Sequence, residues 1–211
     1  HVLLVGHAGH PEVVGTMGQL PEGAVTLVET AEQVAALEVP DADNLGFVTQ
    51  TTLSVDDTAD VIAALRERFP ALAAPSSDSI CYATTNRQEA VKQAAPGTDI
   101  FLIVGAPNSS NSVRLVEVAK RHGAADSMLV ERAADIDWSR IGEAATIGMS
   151  AGASAPEIVV EEIIDALRER RSVTVDIALT AEETELFPVM RSLRDTPLTG
   201  KDMAFLNGTG N

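Results

Sequence analysis

His7, His10 and Glu12 fall within one short glycine-bearing stretch, GHAGHPE, and are residue types that could pass a proton. A neutral imidazole accepts a proton near neutral pH and a carboxylate can hand one on. The same residues also read as ordinary loop positions or as a pair binding a divalent metal, since two histidines without further ligands are a weak metal signature. Hydroxyls collect in three other stretches. TQTTLS at 49–54 offers Thr51 and Thr52 beside Ser54, which is accounted for as a helix N-cap. PNSSNS at 107–112 places Ser109, Ser110 and Asn111 where a helix should begin, and SAGASAPE repeats the arrangement around Ser154. Each stretch alone reads as turn and capping chemistry. Together, at corresponding strand ends, they could wrap a diphosphate with neutral donors. Neither a GxGxxG fingerprint nor a GxxxxGK[ST] loop competes for that role. The one cysteine, Cys81 in ICYATTNRQEAV, precedes a predicted helix whose dipole would favour its thiolate; a small buried apolar residue is the other reading.

These residues need elements to hold them. Apolar runs at Val2–Val5, 24–28, 46–48, Ile100–Val104, Ser127–Val130 and 146–149 predict strands. Amphipathic stretches predict helices near 31–37, 55–69, 84–94, 112–122 and 156–170 between and after them. That alternation, with short connections, is the pattern of parallel βαβ units and an α/β fold. Thr30 with Gln33 and Ser54 with Asp57 predict capping boxes; Ser154 with Glu157 predicts a third, with Pro156 in the first turn. ALAAPSSD at 71–78 reads as a linker, so two similar small parallel-sheet domains are expected at 1–75 and 76–175, followed by a tail at 176–211. Residues 196–211 are expected to be frayed. Open parallel sheets bind ligands beyond the carboxyl ends of their strands, where all four polar stretches fall.

Composition narrows the partners. With 15 basic and 31 acidic residues the 211-residue chain carries a formal charge of -16, which argues against nucleic acid or an anionic membrane. A phosphate must then be held by local donors. No apolar run approaches the roughly 20 residues of a membrane span, and the start has neither the charged region nor the cleavage site of a secretory signal. A single cysteine excludes an internal disulfide and a multi-cysteine metal site built by this chain alone. A cytoplasmic location is expected. A histidine leading directly into a strand raises the expectation that the natural N-terminus lies further upstream.

The motifs GHAGHPEVVGTMGQ, TQTTLSVDDT, ICYATTNRQEAV, NSSNSVRL and SAGASAPE, in this order, closely resemble the 4-hydroxy-3-methylbut-2-enyl diphosphate reductase family, over residues 1 to about 167. The resemblance implies three similar α/β domains around a central pocket, of which this chain would supply the second and most of the third. It implies a 4Fe-4S cluster held by one cysteine from each region, with Cys81 as one ligand. By motif, Ser109, Asn111 and Ser154 would hold the substrate diphosphate and His10 would assist. Glu12 would relay protons, directly or through Thr51 near the substrate hydroxyl. Ser110 and Thr84 are weaker candidates.

The implied reaction is reductive loss of the substrate hydroxyl. Two electrons would arrive through the cluster from a ferredoxin- or flavodoxin-type donor, and protonation of an allyl species would give isopentenyl and dimethylallyl diphosphate. The family's first domain, its other two ligating cysteines and two further pocket histidines have no counterpart here, so the chain alone is expected to be inactive. A non-redox anion-binding protein of the same ancestry, or a metal-dependent hydrolase using His7, His10 and Glu12, are the alternatives.

Overall fold

A computed structural model describes residues 1–75 and 79–182, with 188 and 197. Residues His1–Thr180 form one unit and Ala181–Asn211 a second. The first unit contains two three-stranded parallel sheets. In the first sheet, β1 (Val2–Val5) lies between β2 (Val25–Val28) and β3 (Gly46–Thr49), with α1 (Pro11–Met17), α2 (Ala31–Val34) and α3 (Val55–Arg68) along the chain. The second sheet repeats the order. Its central β4 (Ile100–Val104) is flanked by β5 (Ser127–Val130) and β6 (Ile147–Ala151), with α4 (Tyr82–Ala94), α5 (Ser110–Arg121), α6 (Trp138–Ile141) and α7 (Glu157–Arg168) around it. The expected pair of similar parallel α/β sheets is therefore present.

Why these runs become strands is visible in their burial. β4 is IFLIV, buried at every position, because a central parallel strand is covered on both faces. Its side chains alternate between two cores. Ile100, Leu102 and Val104 pack with Met128, Ile141, Ile163 and Leu167 on one face. Phe101 and Ile103 pack with Val91, Leu115 and Val118 on the other. In the first sheet Leu3, Val5, Val28 and Phe47 pack against Val61, Leu65 and Phe69, which follow one another at helical spacing from α3 onward. The register brings the strand ends level: Val5 pairs with Val28 and Thr49, and Val104 with Val130 and Ala151. Every polar stretch identified above therefore emerges at a carboxyl edge or at a helix start facing one.

Several local expectations need correction. The GHAGHPE stretch is not only a loop: α1 begins at Pro11, capped by the His10 ring, and its two glycines and short length had hidden it. Thr30 makes no capping bond, and α2 lasts only four residues, Ala31–Val34. The Gln33 side chain instead accepts from the Glu29 N–H at 2.8 Å. Ser154 does not cap α7; Pro156 occupies the cap position and offers no side-chain bond. Ser54 does cap α3, accepting from the Asp57 N–H at 3.2 Å. The linker stretch begins as structure, since Ala73 bridges to Gly46 of β3 in parallel. Residues 76–78, and all but residue 197 of the 196–211 tail, lie outside the described residues.

The two sheets are joined through the first turn of α3. Asp56 accepts from Lys92 of α4 at 2.6 Å and faces His122, which follows α5, at 3.4 Å. Asp57 pairs with Arg121 of α5 at 2.5 Å. The Lys92 ammonium holds the Asp56 carboxyl below its usual range, against a smaller opposing effect of burial. A lowered folded-state pKa contributes stability that is present above the unfolded value, near 4, and is lost as pH falls through the folded value. We expect Asp56→Asn to lower stability by up to about 1 kcal/mol at pH 7. The difference from wild type should shrink as pH falls below about 4, as read by urea unfolding at pH 7 and at successively lower pH.

Candidate functional site

The site is assembled around the backbone of Thr51, in the loop after β3. Its N–H donates to Oε1 of Glu12 at 3.0 Å, and its carbonyl accepts from the N–H of Cys81 at 3.1 Å. The acid candidate from the first sheet and the thiol candidate at the start of α4 are thus bound to opposite sides of one residue. A cavity of about 350 Å³ opens beside it, lined by Leu4, Glu12, Val13, Thr16, Val48, Thr49, Gln50, Thr51 and Ser79. Glu12 and Thr51 face this space together; Ser109, Ser110, Asn111, Ser154 and Cys81 do not line it.

His10 sits at the start of α1, where Nδ1 accepts from the Glu12 N–H at 3.3 Å. A backbone N–H can only donate, so in the neutral ring the proton resides on Nε2 and is available to an acceptor. His7 is arranged in the opposite sense. Its Nε2 lies 3.0 Å from a guanidinium nitrogen of Arg114, which can only donate, so that lone pair is consumed. Glu12, His10 and His7 therefore do not converge on a common point with free lone pairs. Among the described residues no three His, Cys, Asp or Glu are grouped to hold a metal ion. This geometry disfavours the hydrolase reading.

The loop after β4 supplies the anion-binding candidates. Ser109 caps α5, accepting from the Ser112 N–H at 3.3 Å, and Ser110 opens the helix. Asn111 is buried, 6 % exposed, yet neither Nδ2 nor Oδ1 has a partner. A primary amide left without hydrogen bonds in the interior costs of the order of 1–3 kcal/mol, which makes Asn111 a candidate to meet a ligand. The helix start can sit this close to the sheet because Gly105 and Gly152 have no side chain: a Cβ on either would overlap Ser112. Ser154 is exposed in the loop after β6. Thr84, in the first turn of α4, is buried at 2 % exposure.

Cys81 is exposed and occupies the N-cap of α4 in extended backbone geometry, with no side-chain capping bond. The thiol is thus free of a capping bond at the start of a 13-residue helix. A single thiolate fits one corner of a thiolate-ligated iron-sulfur cluster. It cannot hold one unaided, because the sequence has no second cysteine.

Two residues that sequence reasoning passed over position the rest. Gln50 is 1 % exposed: its Oε1 accepts from the His7 N–H at 3.1 Å and its Nε2 donates to Thr52 Oγ1 at 3.1 Å. Gln88 of α4, equally buried, accepts from the Val55 N–H at 3.0 Å and donates to the Leu53 carbonyl at 2.7 Å. Nothing in the spacing of TQTTLS or TTNRQEAV marks these glutamines, because a polar residue in a loop or on a helix is ordinarily solvated. Gln88→Leu should leave Val55 N–H and Leu53 C=O unpaired and cost about 2–4 kcal/mol in denaturant unfolding. A change within 0.5 kcal/mol would show that α4 does not fix the 49–54 loop.

With this geometry in hand, the similarities to known proteins acquire a structural meaning. The model of the LytB protein family matches residues 1–168. The 4-hydroxy-3-methylbut-2-enyl diphosphate reductase of Mesorhizobium japonicum is 71% identical over 208 residues, covering 99% of this chain and 62% of its own length. That of Agrobacterium fabrum is 67% identical over 211 residues, 100% of this chain and 61% of the relative. The chain therefore spans about three-fifths of the length of these relatives. Among solved structures, E-1-hydroxy-2-methyl-but-2-enyl-4-diphosphate reductase from Plasmodium falciparum superposes with a TM-score of 0.73 at 34% identity, over 79% of this chain and 52% of that one. The extent of the family match and the identity to the curated relatives place the chain in a single group: it belongs to the LytB protein family.

Proposed function

We propose that this chain forms the Glu12, Thr51 and Cys81 side of the active site of a 4-hydroxy-3-methylbut-2-enyl diphosphate reductase. The observation that carries the proposal is the Thr51 backbone, which fixes the Glu12 carboxyl and the Cys81 backbone on its two sides. The reductases named among its relatives support the substrate. In this reading Ser109, Ser110, Asn111 and Ser154 bind the diphosphate and His10 donates to it from Nε2. The hydroxyls and the free amide of Asn111 suit an oxygen-rich anion, and the start of α5 adds its partial positive charge.

Cys81 would ligate a 4Fe-4S cluster, which supplies the two electrons when bound, delivered by a ferredoxin- or flavodoxin-type protein. The protein's own task is proton management. Breaking the substrate C–O bond with two electrons releases hydroxide, which departs as water once protonated, and a second proton completes the hydrocarbon product. Glu12 holds the first proton beside Thr51, whose N–H keeps the carboxyl aimed into the cavity. Isopentenyl and dimethylallyl diphosphate are the products, formed in the cytoplasm as a step of non-mevalonate isoprenoid synthesis. No described helix is long and apolar enough to cross a membrane. A chain that binds the diphosphate without redox chemistry is the second reading, favoured by the single cysteine.

A chimera distinguishes them: the part of the Mesorhizobium japonicum relative that precedes its match to this chain, joined to residues 1–211 and reconstituted anaerobically with iron and sulfide. We expect stoichiometric iron and acid-labile sulfide and turnover of 4-hydroxy-3-methylbut-2-enyl diphosphate with a chemical reductant. Cys81→Ser should lose the full cluster, and Glu12→Gln should keep it while losing about 10²–10⁴-fold in kcat. The 211-residue chain alone should take up no stoichiometric cluster and show no turnover. A chimera that binds the diphosphate and holds the cluster without turnover would favour the second reading.

A further inference from the structure

We propose that the buried amide of Gln50 sets the direction of a hydroxyl relay, so that Ser110 presents its proton, and not its lone pairs, to a bound anion. This rests on the diphosphate reading and deepens it: Gln50 and Thr52 become positioning residues for that anion.

The direction follows from one unambiguous donor. The His7 backbone N–H can only donate, so the atom facing it at 3.1 Å must be the Gln50 carbonyl oxygen. That places the NH₂ group of the same amide against Thr52 Oγ1 at 3.1 Å, where Thr52 must accept. Thr52 Oγ1 lies 2.9 Å from Ser110 Oγ. Either oxygen could donate in that pair; in the proposed relay Thr52, with one lone pair taken by Gln50, gives its proton to Ser110. The Gln50 amide also reaches Ser110 Oγ directly at 3.5 Å, in the same sense. In that arrangement Ser110 accepts from both Gln50 and Thr52, which leaves its own proton for another acceptor.

The outer side of Ser110 is where an anion belongs. Ser110 is the first residue of the 12-residue α5, so the helix N-terminus faces the same region. Its neighbour Asn111 is buried with both polar atoms unpartnered, an independent mark of an absent ligand. A phosphate oxygen only accepts, and a serine held as donor is matched to it. Because Gln50 is 1 % exposed, water is not at hand to reverse the chain of bonds. The relay also joins three loops, those after β1, β3 and β4, so the anion site is tied to the loop that carries His10 and Glu12.

The test is titration calorimetry of the 211-residue chain with inorganic pyrophosphate, comparing wild type with Gln50→Glu, Thr52→Val and Thr52→Ser. An ionised carboxylate at position 50 still accepts from His7 but also accepts from Thr52, which reverses the relay and turns Ser110 lone pairs toward the anion. Gln50→Glu should therefore weaken pyrophosphate about 10- to 100-fold at pH 8. On acidification the introduced carboxyl gains an O–H that replaces the amide N–H, so the ratio of wild-type to variant affinity should return toward one. A merely structural defect would not recover in this way, and taking the ratio cancels the protonation of pyrophosphate and of His10. Thr52→Ser should bind as wild type and Thr52→Val several-fold more weakly.

Unchanged affinity in Gln50→Glu, a loss that does not recover at low pH, or unchanged affinity in Thr52→Val would each overturn the relay while leaving the diphosphate site standing. If Gln50→Glu fails to fold, the Thr52 pair decides. A wild-type chain that binds no pyrophosphate overturns both the relay and the diphosphate reading.

Discussion

The hydrogen bonds on the two sides of Thr51, to Glu12 and from Cys81, are the constraint on which the site depends. Parallel sheets release their functional loops at one edge, but two separate three-stranded sheets have two such edges, and nothing in either fold unit requires them to meet. Thr51 makes them meet by giving its donor to one sheet's helix and its acceptor to the first residues of the other half. Gln88 anchors the same loop two residues further on, through Leu53 and Val55. Beyond that point Ser54 caps α3, whose acidic first turn engages the cations of α4 and α5. One continuous stretch, 49–57, therefore carries both the site and the joint between the sheets. A displacement of α4 would move the loop that positions Glu12.

The charge of the chain explains the kind of donors found at this edge. At a net -16 the chain as a whole repels a diphosphate, but salt screens that repulsion beyond about the Debye length, roughly 8–10 Å in physiological salt. Inside that distance the local groups decide. Ser109, Ser110, Asn111 and the exposed N–H groups of α5 are neutral donors that carry no desolvation cost of a buried cation. Arg114, the nearest guanidinium on α5, is turned aside to His7, Asp57 and Glu117, and so shapes the loop after β1 in place of meeting the anion. Neutral donors bind an anion more weakly one by one, but they also release it, as the proposed turnover would require.

Much of this was legible in the residues. The strands were, because buried parallel strands are short uninterrupted apolar runs, and IFLIV can hardly be anything else. Cys81 and Ser109 were expected just before helices, and both occupy N-caps. What escaped were features decided by tertiary contact. In α1 Gly15 and the β-branched residues lower helix propensity, and a histidine is an unusual cap; the helix persists because Val13 is buried against the first sheet. The capping box at Ser154 was outcompeted because Pro156 takes the cap position itself, leaving the serine outside the helix and exposed. Gln50 was unreadable for a different reason. Besides Thr52 nearby, its partners His7 and Ser110 lie 43 and 60 residues away, so no local pattern could distinguish it from a solvated loop residue.

The choice of glutamine at the two buried junctions has its own logic. A buried lysine or arginine could tie loops together, but it only donates, and it needs a counter-charge to offset desolvation. A buried serine can turn its hydroxyl and so imposes no direction. A primary amide is neutral, carries a donor and an acceptor at fixed separation, and cannot exchange their places without turning the whole group over. At Gln88 the Val55 N–H and the Leu53 carbonyl forbid that turn, since a flipped amide would set donor against donor and acceptor against acceptor. At Gln50 the His7 N–H forbids it in the same way. Each glutamine thus holds position and polarity together. For the proposed site, which would bind an acceptor-only anion, polarity is as much part of the geometry as distance.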